Sequence, residues 1–266
     1  LSLAGIGMFK LTGYWQLSAN TRLLSGVAYM CSGYFVGHLQ HFNWVSGAAF
    51  LPFCIFYYLN LFCKFSRISI IKAGLFFSLF LASAHPGIII GGLYFFVLLA
   101  LALFYDRIAS RNSYSCVLKK MILPNVTFLL IVLITSIGTI LGYWEVLPHI
   151  DRGNKLLLPA SLENSTTLQS WVSILLPFST TKNNTGFATD ISMRNCYFGL
   201  SFCFILFYGI INKKTKWQKL LLLLATPFFL LSIGGSFKEF SHQFIPLIGF
   251  VRLNGEFRIF TILCLI

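Results

Sequence analysis

The sequence predicts an all-α fold, a polytopic transmembrane helical bundle, on three observations. First, 57% of the chain is hydrophobic and 10% is charged, against about 25% charged in a soluble domain; no soluble core could take up that much apolar surface. Second, runs of about 17–25 mostly apolar residues, the length of a bilayer-crossing helix, recur along the chain. Third, the runs are continuous, whereas a transmembrane β-barrel alternates apolar and polar residues in segments of about ten. The net charge of +13 would suggest nucleic acid in a soluble protein. Here short basic loops between apolar runs account for it, and no nucleic-acid partner is expected.

Taken in order, Leu1 to Phe9 is the tail of one span, and Lys10 to Arg22 a connection with Asn20-Thr21 as a helix cap. Leu23 to Gly37 is a span rich in small residues (Ser25, Gly26, Ala28, Ser32, Gly33) that let helices approach closely. Residues 37–44 reverse the chain and Trp44 to Phe62 returns. Ser69 to Ala84 crosses again, His85-Pro86-Gly87 breaks the helix, and Ile88 to Tyr105 comes back. Asp106 to Lys120 is basic, and Met121 to Leu141 follows, kinked or started at Pro124. A polar external loop occupies 142–194, in which Trp171 to Phe178 is too short to cross a bilayer and is expected at the interface. Cys196 to Ile211 and Leu220 to Ile233 form a hairpin around a basic turn. A second external loop, 234–256, leads to a last apolar run from Phe257. Counting incomplete runs at both ends, about eight to nine spans are expected in a single transmembrane domain over 1–266. The chain opens and closes inside apolar runs, as an internal fragment would. The seven cysteines lie in or beside apolar segments without paired spacing, as small buried hydrophobes do.

Alternating sides puts most of the basic residues, among them Lys10, Arg22, Lys64, Arg107 and the lysines of 213–219, on one face, which is therefore expected to be cytoplasmic. All five histidines fall on the other face, where function is expected. His38 and His41, three apart, share a helix face if the helix continues. With His85 and a carboxylate they are candidate ligands of a divalent metal; the plainer alternative is imidazoles bonding backbone or headgroups at the interface. Glu145 and Asp151, just beyond a span, are candidate catalytic carboxylates, with an interfacial salt bridge from Asp151 to Lys155 as the alternative. Arg152, Arg252, Arg258 and His242 are candidate substrate-binding residues, because arginine grips phosphate through two parallel donors; the alternative for the arginines is snorkelling to headgroups. Asn254-Gly255 supplies a turn that would bring Arg252 and Arg258 to one pocket. No Walker A loop, nucleophile elbow or His-Glu-x-x-His occurs, against an ATPase or a common hydrolase.

Three stretches carry a resemblance. They are residues 23–34 followed by His-Leu-Gln-His (38–41) and Leu51-Pro52; Glu145-Val-Leu-Pro-His-Ile-Asp-Arg (145–152) with Pro177; and Ile233-Gly-Gly with Phe250-Val-Arg and Phe257-Arg258. In these the chain resembles the YfhO family of bacterial multi-pass membrane proteins, similar in architecture to GT-C glycosyltransferases. It departs from the family pattern at Asp151-Arg152 and at Asn254-Gly255, which replaces a proline-containing turn. The resemblance implies a GT-C-like bundle in the bacterial plasma membrane that transfers a sugar from a polyprenyl-phosphate donor to a glycan or polymer acceptor on the outer face, among membrane lipids. It also implies that the main catalytic base lies upstream of Leu1. A transporter or flippase of lipid-linked glycan, or a non-catalytic assembly protein, is the alternative.

Overall fold

The computed structural model describes residues 1–63, 67–109, 114–149, 154–181, 187 and 189–266, with side chains left aside at 63, 109 and 114–120. The helices are α1 (Ser2–Gly13), α2 (Ala19–Met30), α3 (Gly33–Gly37), α4 (Phe42–Cys63), α5 (Arg67–Ser83), α6 (Pro86–Ala109) and α7 (Tyr114–Val146). They continue with α8 (Leu158–Leu162), α9 (Leu168–Val172), α10 (Ile191–Arg194), α11 (Leu200–Ile211), α12 (Lys216–Ile233), α13 (Gly235–Phe244) and α14 (Arg258–Leu265). Short 3-10 turns join some of them, and no strand occurs among the described residues. The all-α class is therefore as expected.

The span count differs. Four helical stretches among the described residues are long and apolar enough to cross a membrane, Phe42–Phe62, Pro86–Ile108, Met121–His149 and Lys216–Ile233, where eight to nine spans were expected. They make this a membrane protein by length and composition. Other helices expected to cross are shorter: α1, α2 and α11 have 12 residues each and α5 has 17, or about 18 and about 26 Å at 1.5 Å per residue, against a hydrocarbon core of about 30 Å.

One run that looked continuous is interrupted for a visible reason. Between α2 and α3 the chain turns at Cys31-Ser32, and the freed amide of Gly33 donates to Tyr197 O at 2.6 Å. A segment from far along the sequence thus accepts a hydrogen bond that a straight helix would have kept for itself. The small residues do permit close approach. A side chain on Gly26 of α2 would lie 2.8 Å from Gly5 O of α1, so those helices touch backbone to backbone.

Aromatic rings cement the rest. Tyr58 of α4, Phe77 of α5, Phe96 of α6 and Phe128 of α7 meet at centroid distances of 4.4 to 6.5 Å. Phe95, Phe228 and Phe260 tie α6, α12 and α14 together. Such edge-to-face and offset contacts contribute about 0.5–1.5 kcal/mol per pair beyond area burial.

The bundle has two chemically different ends. At one, Trp15 after α1 packs on Trp217 of α12, Lys216 pairs with Asp106, and Arg107 and Arg22 bond the carbonyls of Phe62 and Phe9. The other end is capped by the segments expected as wet loops, which are largely folded. Helix α7 runs through Gly142 to Val146 rather than ending near Leu141. Thr166 N donates to Ser232 O at 2.8 Å, Leu156 N to Gly249 O at 3.0 Å and Gly255 N to Asn164 O at 3.1 Å. Trp171 of α9 stacks its edge on Phe229 at 4.7 Å. Two loops remote in sequence become one cap because each supplies the other's backbone partners.

Candidate functional site

Beneath this cap the first turns of α4, α6 and α14 converge with the end of α3. The N-terminal turn of α6 follows His85-Pro86, where proline is pre-set for a helix start, and leaves His85 at the bundle mouth. The 3-10 turn Asn254–Phe257 places Glu256 just before α14. His85 Nδ1 lies 2.9 Å from Glu256 Oε2, with the His85 side chain 18% exposed and that of Glu256 1%. A carboxylate only accepts, so the imidazole donates through Nδ1, and in the neutral tautomer that this selects the lone pair is on Nε2. The Gly87 amide also approaches Nδ1, at 3.4 Å, the weaker contact by distance. Gly87 has to be glycine for the dyad to form, because a Cβ there would sit 2.6 Å from Glu256 Oε2.

Arg258 is the best-satisfied group in the site. It is fully buried, lies over the Tyr34 ring at 4.9 Å, and donates to Ser192 O at 2.6 Å, Gly255 O at 2.7 Å and Asn195 O at 3.2 Å. Its remaining contacts are Met193 Sδ at 3.5 Å and His38 Nε2 at 3.5 Å. Burial, followed by the Arg258 charge and His41, pushes the His38 imidazole well below its ordinary pKa. Lys238 of α13, also fully buried, donates to Ile248 O and Val251 O, each at 3.1 Å. Burial brings its ammonium down to about 7, opposed by the Glu256 carboxylate. Tyr34 OH, His38 Nδ1, His41 Nδ1 and Glu256 Oε1 are buried without a protein partner. Four orphaned polar atoms in one ion-rich cluster are groups that a water or a polar ligand would satisfy.

The expected site residues are only partly brought together. His38, His41 and His85 are neighbours, with the His38 and His41 ring centroids 5.9 Å apart. Trp44 packs against all three rings, at 4.2, 4.9 and 5.0 Å, and among the described residues no group of three His, Cys, Asp or Glu converges on an ion position. Arg258 and Arg252 do not share a pocket. Arg252 lies on the surface of the cap, its Nη2 and Nε both donating to Glu163 Oε2, at 2.6 and 2.9 Å, while Arg258 is spent on carbonyls. His242 of α13 is nearly buried and bonds Leu156 O at 2.8 Å, which ties the two halves of the cap together. Glu145 is exposed in the last turn of α7. Asp151 and Arg152 lie outside the described residues. Glu256, Tyr34, Trp44 and Lys238 were not singled out as site residues. A Glu two residues before a buried Arg, at the mouth of an apolar run, was the signal available for Glu256; the other three look like ordinary span and loop residues until folded.

Fold and site together define a class: an all-α multi-pass membrane protein with a buried, ion-rich polar cluster under a folded cap at one end. Comparison with family models, curated proteins and solved structures gave no match.

Proposed function

We propose that this chain is the membrane part of a glycosyltransferase that moves a sugar from a polyprenyl-phosphate carrier to a hydroxyl acceptor, working at the capped end of the bundle. The observation that carries the reading is the His85–Glu256 dyad: an imidazole oriented by a buried carboxylate, with its free nitrogen at a partly open mouth, is a general-base arrangement. His85 takes the proton of the acceptor hydroxyl as the glycosidic bond breaks. Glu256 holds the ring and stabilises the imidazolium that forms. Arg252 is the arginine available to the carrier phosphate, which it would take in place of Glu163. The GT-C-like architecture, the YfhO resemblance and a bacterial plasma membrane belong to the same proposal. So does the orientation, since the end opposite the site gathers Lys10, Arg22, Arg107 and Lys216 and is read as cytoplasmic.

The test is transfer of labelled sugar from polyprenyl-phosphate-sugar by the purified protein in lipid. His85→Ala should lower turnover about 10²–10⁴-fold, and Glu256→Gln less, as it keeps the shape and loses the charge. Full turnover in His85→Ala would move the base elsewhere. Carrier crossing vesicles without transfer would favour a flippase, and neither activity an assembly role.

A further inference from the structure

At the basic end, away from the dyad, a cavity of about 570 Å³ lies among α1, α2, α4, α6, α11, α12 and α14. That falls within the ~300–1,000 Å³ of ligand pockets. Its wall is hydrocarbon and aromatic, with Met8, Ile55, Leu59, Phe95 and Leu224 at depth. Leu24 of α2 and Ile205 of α11 line it and are more than half exposed, so the cavity is open beside those helices rather than sealed. The polar lining is of a different kind. Trp15, Lys214 and Gln218 line the same cavity. The Trp15 indole N–H is buried without a partner. Lys214 gives one of its three donors to Ile210 O at 2.5 Å. Gln218 accepts from Thr215 N through Oε1 at 2.8 Å, which leaves its amide hydrogens to donate.

We propose that this cavity binds one acyl chain of an anionic phospholipid that enters from the adjoining leaflet, with the phosphate held by Lys214, Trp15 and Gln218. The long apolar wall selects the chain. Three donors of which one is a cation select an acceptor-only, negatively charged headgroup. The inference stands on this cavity and not on the transferase reading.

The test is native mass spectrometry of the purified full chain from nanodiscs made of equal parts phosphatidylglycerol and phosphatidylcholine. Wild type should keep one phosphatidylglycerol after delipidation. A Cβ at Gly209, which also lines the cavity, meets nothing within 4 Å, so Gly209→Phe fills the space from inside and should abolish retention. Lys214→Glu changes the rim by two charge units and should weaken phosphatidylglycerol retention about thirty-fold, at roughly one favourable interaction per Lys near an anionic headgroup. It leaves the cavity walls untouched, so a failure of Gly209→Phe to fold does not decide the matter. No retained lipid in wild type, equal retention of phosphatidylcholine, preference for added polyprenyl phosphate, or wild-type retention by a folded Gly209→Phe would each overturn the proposal.

Discussion

Arg258→Ala should unfold the capped end, and by an amount that sets it apart from Arg252→Ala. Arg258 places charged hydrogen bonds on three carbonyls, of Ser192, Gly255 and Asn195, and these come from α10, the turn before α14 and the segment that breaks α2 from α3. Each such bond contributes about 1.5–3 kcal/mol, and each carbonyl left buried without a donor costs about 1–3 kcal/mol. These terms overlap, since removing the arginine also removes the burden of a buried charge. The loss on breaking a buried charged network, about 3–5 kcal/mol, is therefore the expected size. That is a large part of the ~5–15 kcal/mol of a typical domain. Arg252, half exposed in its pair with Glu163, should cost about 1 kcal/mol or less. Thermal unfolding and limited proteolysis of the detergent-solubilised variants measure both. Arg258→Lys should fall between, because one ammonium does not span three carbonyls on different sides. If Arg258→Ala melts with the wild type and only loses carrier binding, the arginine faces a ligand, and its role as a structural clasp is refuted.

Lys238 gives a pH signature. Its folded pKa of about 7 lies below the ordinary value of 10.5, so the unfolded chain binds more protons between those values and stability should rise with pH from about 7 to about 10.5. Melting curves of wild type and Lys238→Met across that window check it; the rise should vanish in the variant, and a rise that persists would assign it elsewhere. Asp190 caps α10, accepting from Ser192 N at 2.8 Å and Ser192 Oγ at 2.5 Å. The Ser192 hydroxyl bond is the main reason its carboxyl sits below the ordinary pKa, so this contribution is lost as pH falls through the folded value. Asp190→Ala should cost about 1 kcal/mol at neutral pH and little in acid, read from unfolding at the two pH values. Gly87→Ala should push Glu256 off His85, since the new Cβ would lie 2.6 Å from Oε2. It should lower transfer as much as Glu256→Gln with the fold retained by circular dichroism, and unchanged transfer would detach the dyad from activity.

Much of this was legible along the chain. The breaks at residues 37–41, at His85-Pro86-Gly87 and around Asn212 are written in histidine, proline and basic residues, and helices do end there. The histidines concentrate away from the lysine-rich turns, and His38, His41 and His85 do lie together around Trp44. Spacing alone misled where a side chain's partner is remote. Arg252 and Arg258 look like twins until one is buried and the other is not. Glu145 stood in a polar stretch beside a span, but α7 carries it out to an exposed position.

What the sequence by itself determined is the solvent: apolar runs with so few charges go into a membrane as helices, because every backbone amide has to find its partner within the segment. What only the tertiary structure decided is the site. His85 and Glu256 are 171 residues apart, and Arg258 and Ser192 are 66 apart. Their pairing depends on how α6, α10 and α14 pack and on a cap built from two loops. Hydrophobic periodicity is local and carries no record of which distant carbonyl or carboxylate a buried cation will meet.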